Sequence, residues 1–340
     1  MPRVPPQGFS VSGRLAVRLL RIFAITAVVL LASCQTVPPQ RSSLDWLGVL
    51  PGDATMYISV AVPKSADLIR KTLKEGGPAY KDVITLSNWT TRLLVSVTMA
   101  KDTPMSFSAV ALGGYPSVLL RMSLSGNKEW KEVKVPDGSY YAWNKANLQL
   151  SVLDKSVLLA ANGQMTTLLS RYKTALPLPL PREVASDMEK SDVVLYMPQL
   201  PGGIGEGSMD QPAAEQSGDR PRLAIREVWL DAVKSNDGYV LGGTMNTDTE
   251  QQARVLSFVV RVGIVAWMRS SNFPNVAERL RSISVSPEGT SVRVKGIGMR
   301  DDELVPFILT LLSGGPSSEG PAAPQAPQPP VPSQGSDQAN

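Results

Sequence analysis

The chain has 340 residues, with 34 basic and 30 acidic side chains, no histidine and one cysteine. Without histidine the commonest general base and metal ligand is missing, and a single thiol allows neither an internal disulfide nor a cysteine zinc cluster. Nucleophile-elbow, phosphate-loop and calcium-loop spacings are also missing, which leaves carboxylates or a Ser-Lys pair as the only basis for a hydrolase.

The N-terminus reads as an export signal. Arg3, Arg14, Arg18 and Arg21 stand without acids ahead of Ile22 to Leu31, a run apolar apart from Thr26. That run is too short for a bilayer, which needs roughly 20 residues, and it ends in small residues, as a cleaved signal does. Leu31-Ala32-Ser33-Cys34 resembles the bacterial lipobox. The resemblance implies diacylglycerol on the Cys34 sulfur, cleavage between Ser33 and Cys34, and a fatty acyl group such as palmitate on the new amine. Two or three chains make such an anchor durable, at about 0.8 kcal/mol per buried CH₂. An uncleaved anchor helix with an incidental cysteine is the alternative. Gln35 follows the cysteine, which by the usual sorting rule directs the protein to the outer membrane rather than the inner. Four arginines and no acid leave with residues 1–33, so the mature chain has 30 residues of each sign. That balance argues against nucleic acid as a partner.

Residues 34–47 carry Pro38-Pro39 and read as a tether. A folded region follows in two halves, 48–201 and 222–313, separated by a polar loop at 202–221. Gly203-Ile204-Gly205-Glu206-Gly207 falls in that loop and reads as a connection, not a phosphate cradle. Residues 314–340 are rich in Pro, Ser, Gly and Gln and bury too little apolar surface to offset their ordering entropy.

A repeat organises the folded region: strand, tight turn, strand, helix. The first copy has strands at 93–97 and 106–112 and a helix at 115–124. The second has strands at 148–152 and 156–160 and a helix at 164–172. The third has strands at 228–233 and 239–245 and a helix at 250–268. The fourth has strands at 283–285 and 291–297 and a helix at 303–312. Copies one and two begin about 55 residues apart, as do three and four. The order predicts an α+β fold of antiparallel sheets with helices packed on them, α/β/α-like, built from hairpin-helix units in two similar halves.

Thr247-x-x-Glu250 resembles a capping box at the start of the third helix. From Ala253 to Met268 that helix is apolar almost all round, interrupted by Arg254 and Arg261. Two arrangements satisfy so wide an arc: burial on two sides, or an amphipathic helix entering a bilayer interface. In the second case Phe258, Val262 and Trp267, with Phe307 of the equally apolar last helix, are the candidate lipid contacts. Pro306 suits a first turn. Asp301-Asp302-Glu303 is the densest acid cluster and complements the helix dipole there, a reading preferred over metal binding.

Leu50-Pro51-Gly52-Asp53 leading into Tyr57-Ile58-Ser59-Val60, the run Leu158 to Gly163, and Asp192 to Met197 resemble a widespread bacterial envelope family. The lipobox, the repeated units and the helix at 250–268 also resemble treponemal outer-membrane lipoproteins, α/β/α sandwiches with amphipathic helices that insert into the inner leaflet. That resemblance implies periplasm-facing lipid binding or membrane perturbation. With the catalytic residue types and motifs missing, the expectation is a non-catalytic envelope protein, free of cofactor and metal, partnered by membrane lipid through its anchor, by a bound lipid and by other envelope proteins. A scaffold that recruits envelope proteins is the alternative function.

Overall fold

The computed structural model describes residues 43–312, apart from 75–79, 101–102, 144, 146, 175–177, 179, 200–223, 271–272 and 274. Ser33, Cys34, the start of the tether, the 202–221 loop with its glycine run, and the tail after 313 lie outside the described residues.

Sequence order is α1 (Ser43–Leu47), β1 (Met56–Ala61), α2 (Ala66–Lys74), α3 (Tyr80–Trp89), β2 (Thr90–Ala100) and β3 (Thr103–Gly113). Then come α4 (Ser117–Gly126), β4 (Trp130–Val135), β5 (Gly138–Trp143), β6 (Leu148–Val152), β7 (Val157–Ala161), α5 (Met165–Thr174), α6 (Arg182–Lys190) and β8 (Val193–Met197). The second half holds β9 (Ile225–Ser235), β10 (Gly238–Thr247), α7 (Glu250–Ser270), α8 (Val276–Ser282), β11 (Ser284–Glu288), β12 (Ser291–Met299) and α9 (Asp301–Leu312).

All the strands among the described residues join one 12-stranded sheet in the order β11-β12-β10-β9-β8-β1-β2-β3-β7-β6-β5-β4. Every neighbouring pair is antiparallel. The expected α+β class and the hairpin-helix repeat are both present. Strands β1-β2-β3-β7-β6 and β8-β9-β10-β12-β11 follow the same order, and β1 pairs with β8 at the centre. The halves are thus related by an approximate two-fold axis normal to the sheet between β1 and β8. By this topology β8 opens the second half, although residues 193–197 precede the loop that divides the sequence. The hairpin β4–β5 is an insertion in the first half. Its Pro136-Asp137-Gly138 turn is a strong hairpin signal outside the four-copy pattern.

Residues opposite one another in an antiparallel sheet share a face, so the two faces can be followed across all the strands. The front face carries Tyr57, Leu94, Val110, Leu159 and Val194, and α1, α5 and α6 pack on it through Leu47, Leu168 and Met188. Leu47 is buried in this cluster, so the folded body begins within residues 43–47 and the tether is shorter than its expected 34–47 span. The back face carries Leu158, Ala232, Leu241, Val292 and Val294, covered by α2, α3, α4, α7 and α9. Helices therefore cover both faces of the first half, as an α/β/α arrangement requires. Over β9, β10 and β12 the front face carries polar Glu227, Asp231, Thr244, Arg293 and Lys295, a pattern suited to water on that side.

Two expected details are shifted. Thr247 ends β10 and donates to the Thr290 carbonyl at 2.7 Å. The capping role falls to Thr249, whose Oγ1 accepts the Gln252 N–H at 3.2 Å, while Gln252 reaches back to the Asp248 N–H. Pro306 is the sixth residue of α9, inside the helix, where its missing N–H removes the bond to the carbonyl of residue 302.

Candidate membrane-contact site

Helix α7 presents two apolar faces of different fate. Ala253, Leu256 and Met268 are buried, and Val260 and Ile264 pack beside them against Val285, Val292 and Val294. The opposite side shows Val255, Phe258, Val259 and Val262, between 50 and 69 % exposed. Their i, i+3, i+4, i+7 spacing makes a continuous stripe along the helix. Burial on two sides is therefore overturned: the arc is wide because one part packs on the sheet and the other meets solvent. Arg254, Arg261 and Arg269 are exposed on the same helix, and Arg261 also donates to the Val285 carbonyl at 2.8 Å.

Of the four expected contact residues, Phe258 and Val262 lie on the stripe. Trp267 and Phe307 do not. They are half-buried and pack together at 5.6 Å between ring centres, with Phe273 edge-on to Trp267 at 4.9 Å. They line an apolar cavity of about 180 Å³ between the sheet and helices α7 and α9. Leu230, Met245, Val260 and Ile264 complete its wall. A dry apolar cavity near 150 Å³ accepts a benzene-sized guest, so this one has room for a short stretch of acyl chain.

A second stripe was not anticipated from the sequence. On α4, Val118, Leu119 and Met122 are 65 to 69 % exposed, while Leu120 and Leu124 pack inward. The signal was present in Val118-Leu119-Leu120 beside Met122, more apolar surface than one buried face uses. Helix α4 follows the first hairpin of its half as α7 follows the first hairpin of the other. Both lie on the back face, so the approximate two-fold axis places the two stripes on the same side of the sheet. No helix among the described residues is long and apolar enough to cross a membrane.

The acid cluster at the start of α9 is engaged in ion pairs. Asp301 meets Lys71 at 3.4 Å and Lys234 at 2.9 Å. Glu303 accepts both terminal nitrogens of Arg279 and the Arg300 N–H. Burial is the largest single effect and opposes the charge on each acid, but the hydrogen bonds and charges of Lys234 and Lys71 at Asp301, and of Arg279 and Arg300 at Glu303, together outweigh it and hold both carboxyls below their ordinary range. Among the described residues no three potential metal ligands gather.

A family model described as outer membrane-associated lipoprotein TP0453 matches residues 41–200, and the chain is similar to that family over this stretch. Solved structures extend the likeness into the second half. Crystal form III of TP0453 has a TM-score of 0.54 and 17% identity, covering 80% of this chain and 98% of that one. Crystal form I has a TM-score of 0.56 and 16% identity, covering 80% and 99%. Crystal form IV has a TM-score of 0.55 and 17% identity, covering 77% and 95%. At these identities the likeness establishes the fold. A comparison with curated proteins gives no match. The resemblance to outer-membrane lipoproteins read from the sequence is thus borne out, and with it the placement in the cell envelope at the outer membrane.

Proposed function

We propose that this lipoprotein is a non-catalytic membrane-binding protein, anchored through acylated Cys34, that lays its α4 and α7 stripes into a lipid surface. The observation that carries this reading is the pairing of Val118, Leu119 and Met122 with Val255, Phe258, Val259 and Val262 on one side of the sheet. Fully burying such side chains contributes about 1.5–3 kcal/mol each. Two stripes engaged together bind more tightly than either alone, because the second contact becomes intramolecular. The cavity beneath α7 then lies directly behind the membrane-facing helix, where an acyl chain passes in between α7 and α9. The family whose model matches residues 41–200 is described as outer membrane-associated, which agrees with this reading.

Liposome flotation of protein lacking residues 1–34 tests the proposal, because the lipid anchor no longer masks the helices. The protein is expected to float with vesicles and to shift its tryptophan emission. No flotation together with unshifted emission overturns the reading.

A further inference from the structure

The front face of the second half contains a groove that the membrane reading leaves unused. Its volume is about 300 Å³, at the small end of ligand clefts. The floor is the Gly242-Gly243 stretch of β10. A side chain at Gly242 would come within 2.6 Å of the Asp231 carboxylate, so glycine there lets that carboxylate lie over the floor. One wall holds Asp231 from β9 and Asp187 from α6. The other holds Arg293 and Lys295 from β12.

These opposite charges do not close on one another. Asp231 forms no ion pair among the described residues, and neither does Lys295. Arg293 reaches instead to Glu183 at 3.4 Å and Glu288 at 3.7 Å, both at exposed carboxylates. Asp187 accepts the Trp229 indole N–H at 3.2 Å, which fixes its position. Burial, and next the nearby Asp187, raise the Asp231 carboxyl above its ordinary range, and the charges of Arg293 and Lys295 offset this only in part, so a cation beside the two acids would relieve their repulsion. Strands β9 and β12 flank β10, placing their backbones about 10 Å apart. No ion pair joins the two walls among the described residues, and the groove between them is open to a guest.

We infer that this groove binds a small zwitterion, with a protonated amine held by Asp231 and Asp187 and an oxyanion held by Lys295 and Arg293. Acids on one wall and cations on the other suit an amine and an oxyanion joined by a short chain, the chemistry of phosphoethanolamine, more than an α-amino acid, whose charges sit side by side. The same chemistry is offered by the free compound and by a lipid headgroup. The groove opens on the face opposite the α4 and α7 stripes, which favours the free compound.

Calorimetric titration of the full chain in detergent micelles with O-phosphoethanolamine tests this. One saturable site is expected, with ethanolamine or inorganic phosphate alone binding more weakly. Asp231→Asn and Lys295→Met should each weaken binding about tenfold, the loss of one charge-assisted contact. Micelles doped with phosphatidylethanolamine form the second arm. Competition there that Asp231→Asn abolishes assigns the site to the headgroup; its absence assigns the site to the free compound. Failure of O-phosphoethanolamine to bind in undoped micelles overturns the inference. So does binding that both variants retain at wild-type strength with native circular dichroism. Flotation is unchanged in Asp231→Asn, so a failure here leaves the membrane reading standing.

Discussion

Arg279 shows how much of this molecule depends on pairs distant in sequence. Its guanidinium donates to both oxygens of Glu303 at 2.9 and 3.1 Å, bonds the Gly298 carbonyl at 3.2 Å and lies over the Phe273 ring. The side chains are only 18 and 9 % exposed, and removing one member of such a pair strands the other. Arg279→Ala is expected to cost about 3 kcal/mol in urea unfolding, at the low end for a broken buried pair. The pH dependence follows from the direction of the Glu303 shift. Its folded pKa lies below the unfolded value of about 4.3. Its contribution is therefore fully present above that value and is lost as pH falls through the folded pKa. Glu303→Gln should lose stability at neutral pH and flatten the decline between about pH 5 and pH 2, read from urea midpoints. Nothing in the sequence around Arg279 marks it out. The acid cluster was legible as a helix start, but its cationic partners were not, because no local pattern encodes a contact across 24 residues.

At the scale of the element, α7 separates what a sequence can specify from what it cannot. Its capping residues and apolar period place a helix where one is found, at Glu250–Ser270. Whether the outer half of its apolar arc is covered depends on neighbours, and those are set by strand order. The two sides of α7 should therefore respond differently to substitution. Leu256, 3 % exposed, is expected to cost about 2–5 kcal/mol as Leu256→Ala. Phe258→Ser should stay within about 0.5 kcal/mol of wild type, yet lower vesicle partitioning about tenfold. Denaturation and flotation of both variants check the contrast. A large stability loss in Phe258→Ser would mean that the side chain is packed in solution. The same logic explains why the exposed stripe of α4 was not anticipated. It is short, and its exposed Val118 and Leu119 look like ordinary core positions until Leu120 and Leu124 are seen to take the inward places.

The whole molecule is held by the strand pairing at its centre. Tyr57 of β1 and Tyr196 of β8 are register partners and stack at 6.3 Å, their hydroxyls donating to the Pro51 carbonyl and to Glu227. Strand β8 also pairs along its length with β9, so the segment that precedes the dividing loop is built into the half that follows it. On the back face Leu68 of α2 packs with Leu304 of α9, and Lys71 reaches Asp301. The hairpin-helix repeat was readable because turns and alternation are local. The two-fold arrangement was not, because it requires knowing that β1 meets β8. Separate halves would each bury their own core and unfold independently, whereas these share a sheet and a helix contact. Cutting the chain at a protease site introduced at Gly207 should thus leave one particle in size-exclusion chromatography. The cut protein should still unfold in one urea transition monitored by both tryptophan emission and circular dichroism. Two particles, or two resolved transitions, would show that the shared strands contribute less than each half does alone. A single transition carries a consequence for membrane binding, since a sheet that does not come apart keeps the α4 and α7 stripes on one side while both are engaged.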